Sequence, residues 1–499
     1  MMAEKKKVAI IGAGISGLTA GIYALKAGFD AEIYERNASV GGLCTGWYRK
    51  GSYIDGCIHW LTESNRGVLN KLWREIGAID ENTTIFHYDI YNQACMGDTT
   101  VNFYTDPAKL EKELLSFADG ENDRRLVKKF VKGVRICKHN ALTGGKPFHL
   151  WNAWNKFRFI CKILPIIGVV RNYSKLSTRE FVAQLKSPAL KYTFSNTLVP
   201  DEYSLFSLMS TFGGLAHRNS GTPIGGSKAM VERIKDKFLS LGGKLTLRAD
   251  VESIDIENEK ACGLTTSDGQ CIKADYVIAA CDVHFTLDKL LKGKYHIEQI
   301  DDRDSNKKHH PTYSMMLLSY RTKKDLSKIV HNRYVKCPTF NVLGDDVDVI
   351  YLKHFGYDKT IMHDGYTIVQ AIVTTTESMF DKLAAMPREE YAEFKKQLSE
   401  TITDRIQQTE GDRYGELELL DVATPLTFTH YVNTYKGTFM TYMLTPNIKQ
   451  MILRNDILPV KNLALANHWL MVPGGVPIAV MQGKFAAMTI AYNDKHQKD

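Results

Sequence analysis

An unbroken apolar run at residues 8–11 leads into a glycine-rich stretch and then into a stripe of Leu18, Ile22 and Leu25. The run predicts a strand covered on both faces, and the stripe predicts a helix with one buried face. Residues 31–35 read as a second strand ending in an acid. From about residue 65 to 220 the pattern is helical, with Leu69, Leu72, Trp73 and Ile76 on one stripe and Leu110, Leu114 and Leu115 on another. A helix follows Gly225-Gly226, with Ser227 expected as its cap, Met230, Ile234, Phe238 and Leu241 forming one face and Gly242-Gly243 at its end. Strands are predicted at 244–247, 251–257 and 276–280, with a turn at Asp268-Gly269. Beyond them come a strand at 367–373, a helix from near Pro387 to Gln408, and a loop opened by Thr424-Pro425. The pattern closes with a buried strand at 462–466 and a helix from Pro477 through Ala491.

The glycines between the first strand and helix fall at Gly12, Gly14 and Gly17. In this setting Gly12 permits a tight turn, Gly14 lets a pyrophosphate approach the backbone, and Gly17 lets the helix lie close to the strands. Phosphates would then meet the unpaired N–H groups of the helix N-terminus. Glu35 is placed to accept hydrogen bonds from an adenosine ribose. Gly41-Gly42, Gly46, Gly51 and Gly56 follow closely, a density that suggests backbone held near a ligand. A second glycine-rich turn, Pro473-Gly474-Gly475-Val476-Pro477, precedes the last helix and leaves its N-terminus uncovered. Such an end stabilises negative charge, for instance on a reduced isoalloxazine, by roughly 0.3–2 kcal/mol.

At 499 residues the chain has room for two or three domains, and 44% hydrophobic with 24% charged residues is ordinary for a folded protein. The net charge of +8 is mild, and no basic block interleaved with aromatics reads as a nucleic-acid groove. Nine scattered cysteines without a C-x-x-C fit a reducing, cytoplasmic setting, and no metal site is assigned. No apolar run reaches the roughly 18 residues of a spanning helix. Residues 150–175 crowd Trp151, Trp154 and Phe157 with Lys156, Arg158, Lys162, Arg171 and Lys175. That composition suits either a membrane surface or an amphipathic helix packed on its own core.

Together these stretches resemble the flavoprotein family of phytoene desaturases, carotenoid isomerases and retinol saturases. The resemblance rests on residues 12–17, 35–42, Asp55-Gly56, the Pro-x-Gly-Gly-Ser of 223–227 and residues 473–484, in order along nearly the whole chain. Ile58-His59-Trp60, Thr424-Pro425 and Gly437 place it nearest the isomerase and saturase branch.

The resemblance implies an α/β fold with a discontinuous Rossmann-like FAD-binding domain of the glutathione-reductase type at 1–75, 220–285 and 456–499. An α+β substrate domain would be inserted at 76–219 and 286–455. FAD contacts are then expected from Gly12, Gly14, Ser16, Gly17, Glu35, Arg36, Gly41, Gly42, Val251, Asn467, Pro473, Gly474, Gly475 and Val476. Asn467 departs from the family by carrying a side chain where glycine is usual. The flavin performs the redox chemistry, so few catalytic side chains are needed. His59, His468 and Tyr431 are the candidates for polar groups near the reacting carbons.

Phe206, Met209, Phe212, Met315, Met316, Phe439, Met440 and Met443 are candidates to line a tunnel for a hydrophobic polyene, isoprenoid or other unsaturated lipid. The expected activity is desaturation, saturation or cis/trans isomerisation, with an unknown electron donor or acceptor. Two other readings share this scaffold. One is a flavin amine oxidase, with Trp469 and Tyr431 as its aromatic pair. The other is a non-enzymatic prenyl-carrier protein.

Overall fold

The computed structural model describes residues 5–137, 145–197 and 200–496. The apolar run forms strand β1 (Lys7–Ile11), and the helical stripe forms α1 (Ile15–Lys26). β2 (Asp30–Glu35) returns beside β1 in parallel, as the short right-handed crossover requires. After a long excursion the chain re-enters with α2 (Gly226–Ser240), β3 (Lys244–Leu247) and β4 (Tyr276–Ala279). It re-enters once more with β5 (Leu463–Leu465) and α3 (Val476–His496). The resulting parallel sheet has the order β3-β2-β1-β4-β5, so its strands come from three separated stretches of chain. A three-stranded antiparallel sheet, Val251–Glu257, Lys260–Thr266 and Cys271–Lys273, lies between β3 and β4 in sequence.

Glycine allows the layers to touch. A methyl group at Gly17 would overlap the Gly12 carbonyl oxygen, and one at Gly483 of α3 would overlap the Ser16 carbonyl oxygen of α1. Val8, Ile10, Leu18, Ile22, Ile33, Ile234, Phe238 and Phe485 are fully or nearly fully buried in the core between sheet and helices.

A second sheet of seven strands runs in the order Glu418–Ala423, Ser314–Thr322, Thr367–Thr375, Asp345–His354, Asn332–Val342, Ile90–Met96 and Thr99–Tyr104. Its last two strands correct the all-helical expectation for 65–220. Ile90–Met96 and Thr99–Tyr104 form a hairpin that extends the sheet through a parallel pairing with Asn332–Val342. Polar residues such as Asn92, which is buried inside the sheet, hide the first of these strands.

Two smaller corrections have local causes. Gly225, with a φ of 94°, takes the cap position of α2, and the Ser227 hydroxyl instead donates to Asp55 Oδ1 at 2.7 Å. Thr424-Pro425 opens a helix, Pro425–Val432, rather than a loop. Pro425 suits its first turn, and Thr424 and Thr427 cap each other.

Candidate functional site

A cavity of about 1160 Å³ runs between the two sheets. It exceeds the roughly 300–1,000 Å³ typical of a small-ligand pocket, which leaves space for a large cofactor and a second molecule.

At one end lie Gly12, Gly14, Ile15 and Ser16. Gly12 has a φ of 97° and donates its N–H to Tyr34 O at 2.8 Å. Gly14 occupies the N-cap of α1 with no side chain capping the helix, so the free N–H groups face the cavity. Gly17 does not line the cavity but permits the contact with Gly12 described above. Ser16 lines it, with its hydroxyl donating to the Ala466 carbonyl.

Glu35 is buried, and Oε2 accepts the Ala13 N–H at 2.8 Å while Oε1 accepts the Asn37 N–H at 2.9 Å. Its carboxylate therefore fixes the phosphate-type turn and lines the cavity together. Arg36 also lines the cavity and donates to Asn433. Val251 borders it beside Ala249 and Asp250. Gly41 and Gly42, with φ of 128° and 57°, pass alongside Gly14, and the Gly41 N–H donates to Ala13 O at 2.9 Å.

Farther along the cavity Pro473, Gly474, Gly475 and Val476 bring in the N-terminus of α3. Asn467 is extended, with a φ of −129°, so its backbone has no need of glycine. Its Oδ1 accepts the Trp469 N–H at 3.1 Å, and its buried Nδ2 has no hydrogen-bond partner among the described residues. That orphaned donor, two uncovered helix N-termini and a glycine cradle fit a dinucleotide carrying a second polar ring system.

The candidates for chemistry separate. His468 accepts the Gly475 N–H at Nδ1, 3.4 Å away, which makes it a brace for the glycine turn. Burial lowers its pKa to about 4 against the opposing pull of Asp282, so the ring is neutral. His59 lines the cavity, and burial and then the Lys353 charge hold it well below the usual histidine range. Its Nδ1 lies 3.5 Å from the Tyr351 hydroxyl, and its carbonyl accepts from Thr222 Oγ1 at 2.9 Å. Tyr431 does not reach the cavity. Its side chain is 55% exposed, because Asn433 ends the short helix with a φ of 51° and turns the following Thr434 inward instead. Trp469 is fully buried behind the wall, donating Nε1 to Asp282 Oδ2 at 2.7 Å, so the Trp469 and Tyr431 pair does not form.

The apolar candidates also divide. Phe206, Met315, Phe439 and Met440 line the cavity. Met209, Phe212, Met316 and Met443 are core, because neighbours on a strand point to opposite faces and the helix Leu205–Ala216 turns its polar Ser207, Ser210 and Thr211 to the cavity. Phe159, Ile163, Ile166 and Val170 close the far side.

Sequence reasoning missed a polar node under the site. Lys353, nearly fully buried, donates to Ile58 O at 2.9 Å, and Gln370 donates to Asp55 O at 2.7 Å. Burial brings Lys353 down to about 8 against the pull of Asp55. Tyr334 and Tyr351, stacked 4.6 Å apart, also line the cavity. Sequence spacing gives no signal for Lys353, which sits in an ordinary alternating strand. Among the described residues no group of three or more His, Cys, Asp or Glu side chains is arranged to hold a metal ion.

Residues 15–292 match the family described as flavin containing amine oxidoreductase. A protein of Danio rerio named inactive all-trans-retinol 13,14-reductase is 29% identical over 314 residues, covering 57% of this chain and 48% of that protein. The chain thus spans about half the length of that relative. A phytoene desaturase (lycopene-forming) of a Paracoccus species is 24% identical over 349 residues, covering 68% of this chain and 67% of its own length. Among solved structures, cyclohexylamine oxidase from Brevibacterium oxydans IH-35A superposes with a TM-score of 0.55 at 15% identity, covering 99% of this chain and 100% of that chain. That likeness establishes the fold, an α/β flavoprotein architecture with a Rossmann-like nucleotide domain and a substrate domain.

Proposed function

The chain belongs to the flavin containing amine oxidoreductase family, and from that premise we propose that it is an FAD-dependent oxidoreductase or isomerase acting on a hydrophobic polyene, isoprenoid or other unsaturated lipid. The observation that carries this reading is the continuity of one cavity from the glycine-lined helix N-termini to an apolar compartment walled by Phe159, Ile163, Phe206, Met315 and Met440. The names of the relatives, an inactive all-trans-retinol 13,14-reductase and a phytoene desaturase, support the same substrate class.

Gly14, Ser16, Glu35, Arg36, Gly41, Gly42, Val251 and Asn467 would hold the adenosine, pyrophosphate and ribityl portions, with Gly474, Gly475 and Val476 at the flavin ring. When bound, the flavin supplies two-electron chemistry at a carbon chain. The chain's own residues do the rest. The apolar wall excludes water, α3 directs its N-terminus toward developing negative charge, and the neutral His59 offers a polar contact beside Tyr351.

In this reading the substrate arrives from a lipid surface, and an external partner exchanges electrons. Among the described residues no helix is long and apolar enough to cross a membrane. The helix Ala153–Ile163 and its continuation nevertheless expose Trp154, Phe157, Ile160, Leu164 and Ile167 on one side. Residues 145–175 contain no Asp or Glu and carry Lys146, Lys156, Arg158, Lys162, Arg171 and Lys175. An apolar stripe rimmed by cations fits the interface of an anionic bilayer. Residues of the opposite side, Phe159, Ile163, Ile166 and Val170, line the cavity.

A second reading is a flavin amine oxidase, favoured by the stacked Tyr334 and Tyr351 and by Asp201, Glu202, Asp346 and Asp348 in the cavity wall. One experiment separates the two: flavin-loaded protein is mixed anaerobically and in air with polyenes and with alkyl amines. Bleaching of the flavin, or product formation, with polyenes alone supports the lipid reading. Hydrogen peroxide released with amines alone overturns it.

A further inference from the structure

Cys44 and Cys57 are thirteen positions apart, and the fold brings both to the open end of one hairpin. The antiparallel hairpin of Gly46–Arg49 and Ser52–Asp55 pairs Gly46 with Asp55. One step outward the Gly56 N–H donates to Thr45 O at 2.9 Å, so Cys44 and Cys57 flank the last backbone hydrogen bond at the open end of the hairpin. Gly56 makes that approach feasible, because a side chain there would meet Thr45 O at 3.0 Å and the Trp47 ring at 2.8 Å.

A disulfide spans Cα atoms about 4.4–6.8 Å apart, a separation within reach of two residues that flank one backbone hydrogen bond. The neighbouring Cys57 thiol, followed by burial, raises the Cys44 pKa well above the ordinary thiol range, so Cys44 rests as a protonated thiol. Both residues line the cavity, between the Gly41-Gly42 cradle and His59, and both are free thiols. Nine cysteines are free in the structure, and no role has been given to this pair in the chemistry above.

We propose that Cys44 and Cys57 form a two-electron thiol–disulfide couple in the wall of the cofactor cavity, exchanging electrons with the bound cofactor. This rests on the proposed binding of FAD. The two S–H bonds break and one S–S bond forms. The electron pair and the two protons released go to oxidised flavin, which becomes dihydroflavin. In the reverse direction dihydroflavin returns the pair and the protons, and the disulfide opens to two thiols. The couple stores one substrate equivalent of electrons between turnovers, and an external dithiol or disulfide is the chemical class able to recharge it.

The test uses the full-length, flavin-loaded protein oxidised with diamide and then freed of reagent. Denatured samples are expected to show seven reactive thiols where the reduced protein shows all nine, with peptide mapping joining Cys44 to Cys57. Anaerobic dithionite titration is expected to consume about four electron equivalents per flavin in wild type and about two in Cys44→Ala or Cys57→Ser, since each couple accepts two.

A disulfide map that leaves Cys44 and Cys57 unjoined overturns the proposal. So does a joined pair whose wild-type titration stops at about two electrons per flavin. The peptide map needs no variant, so a misfolded Cys44→Ala does not blur the result. Protein that never retains flavin refutes the FAD reading, while the map still reports separately on the pair.

Discussion

The two ends of the cavity are built on different principles. At the cofactor end the recognising surface is backbone: Gly12, Gly14, Gly41, Gly474 and Gly475 shape it, and side chains such as Glu35 and His468 brace the turns. At the far end the surface is side chain, contributed by a strand, two helices and the strip of Phe159, Ile163 and Ile166. A backbone site tolerates almost no change in residue type at its glycines. A side-chain site can be re-lined without disturbing the fold, provided only the cavity-facing position changes.

The sharpest way to break this contrast is at the glycines. Gly17→Val would drive a side chain into the Gly12 carbonyl, and we expect complete loss of retained flavin, read from the visible spectrum of the purified protein. Gly14→Ala is the cleaner comparison. The nearest atom to the new methyl is Gly41 O at 3.9 Å, so the fold is kept while the approach of a phosphate is obstructed.

Next comes the adjacent pair on the strand Ser314–Thr322. Met316→Ala empties a fully buried site and should cost about 2–5 kcal/mol in denaturant unfolding. Met315→Ala faces the cavity and should leave stability within about 0.5 kcal/mol while changing substrate preference.

A third test concerns charge behind the cofactor end. His284 is hydrogen-bonded to Asp282 at 3.1 Å and to Asp304 at 2.9 Å. Burial alone would depress its pKa, but these two carboxylates outweigh burial and push it up to about 9. A raised folded pKa means the stabilisation is complete below the unfolded value near 6.5 and is lost as pH rises through about 9. Its size is on the order of 3 kcal/mol. Wild type should therefore lose stability between about pH 6.5 and 9, whereas His284→Gln should start lower and show a flatter profile. Equal slopes for the two proteins would remove His284 as the cause.

The smallest effect belongs to the outer face. Replacing Trp154, Phe157 and Ile160 together by Ser should weaken sedimentation with phosphatidylserine vesicles at least tenfold, equivalent to about 1.4 kcal/mol. Flavin content and unfolding midpoint should stay as in wild type, because these three side chains are more than half exposed.

What was legible in the sequence follows the same division. Gly12, Gly14, Gly17 and the turn at Gly474-Gly475 are readable because a backbone requirement leaves few residue types able to meet it. β1, β4 and β5 are readable as apolar runs. Met315 and Met316 were not separable, since the strand's phase relative to the cavity is set by its pairing with Thr367–Thr375 and not by either residue. Tyr431 looked central in the chain and lies outside the cavity, because the left-handed Asn433 after it reverses the path. Lys353 is silent for a related reason: its approach to Ile58 joins segments distant in sequence.

The order of strands in the parallel sheet also governs when this protein can first acquire its cofactor. β1 and α1 leave the ribosome early, but β5 and the helix that completes the flavin end are encoded some 450 residues later. At about 5–20 residues per second, roughly 20–90 s separate the two halves of one binding site. Until then the open edge of β4 has no partner strand, and the nascent chain carries half a nucleotide cradle. Loading across both halves therefore waits for β5 and α3 to be made.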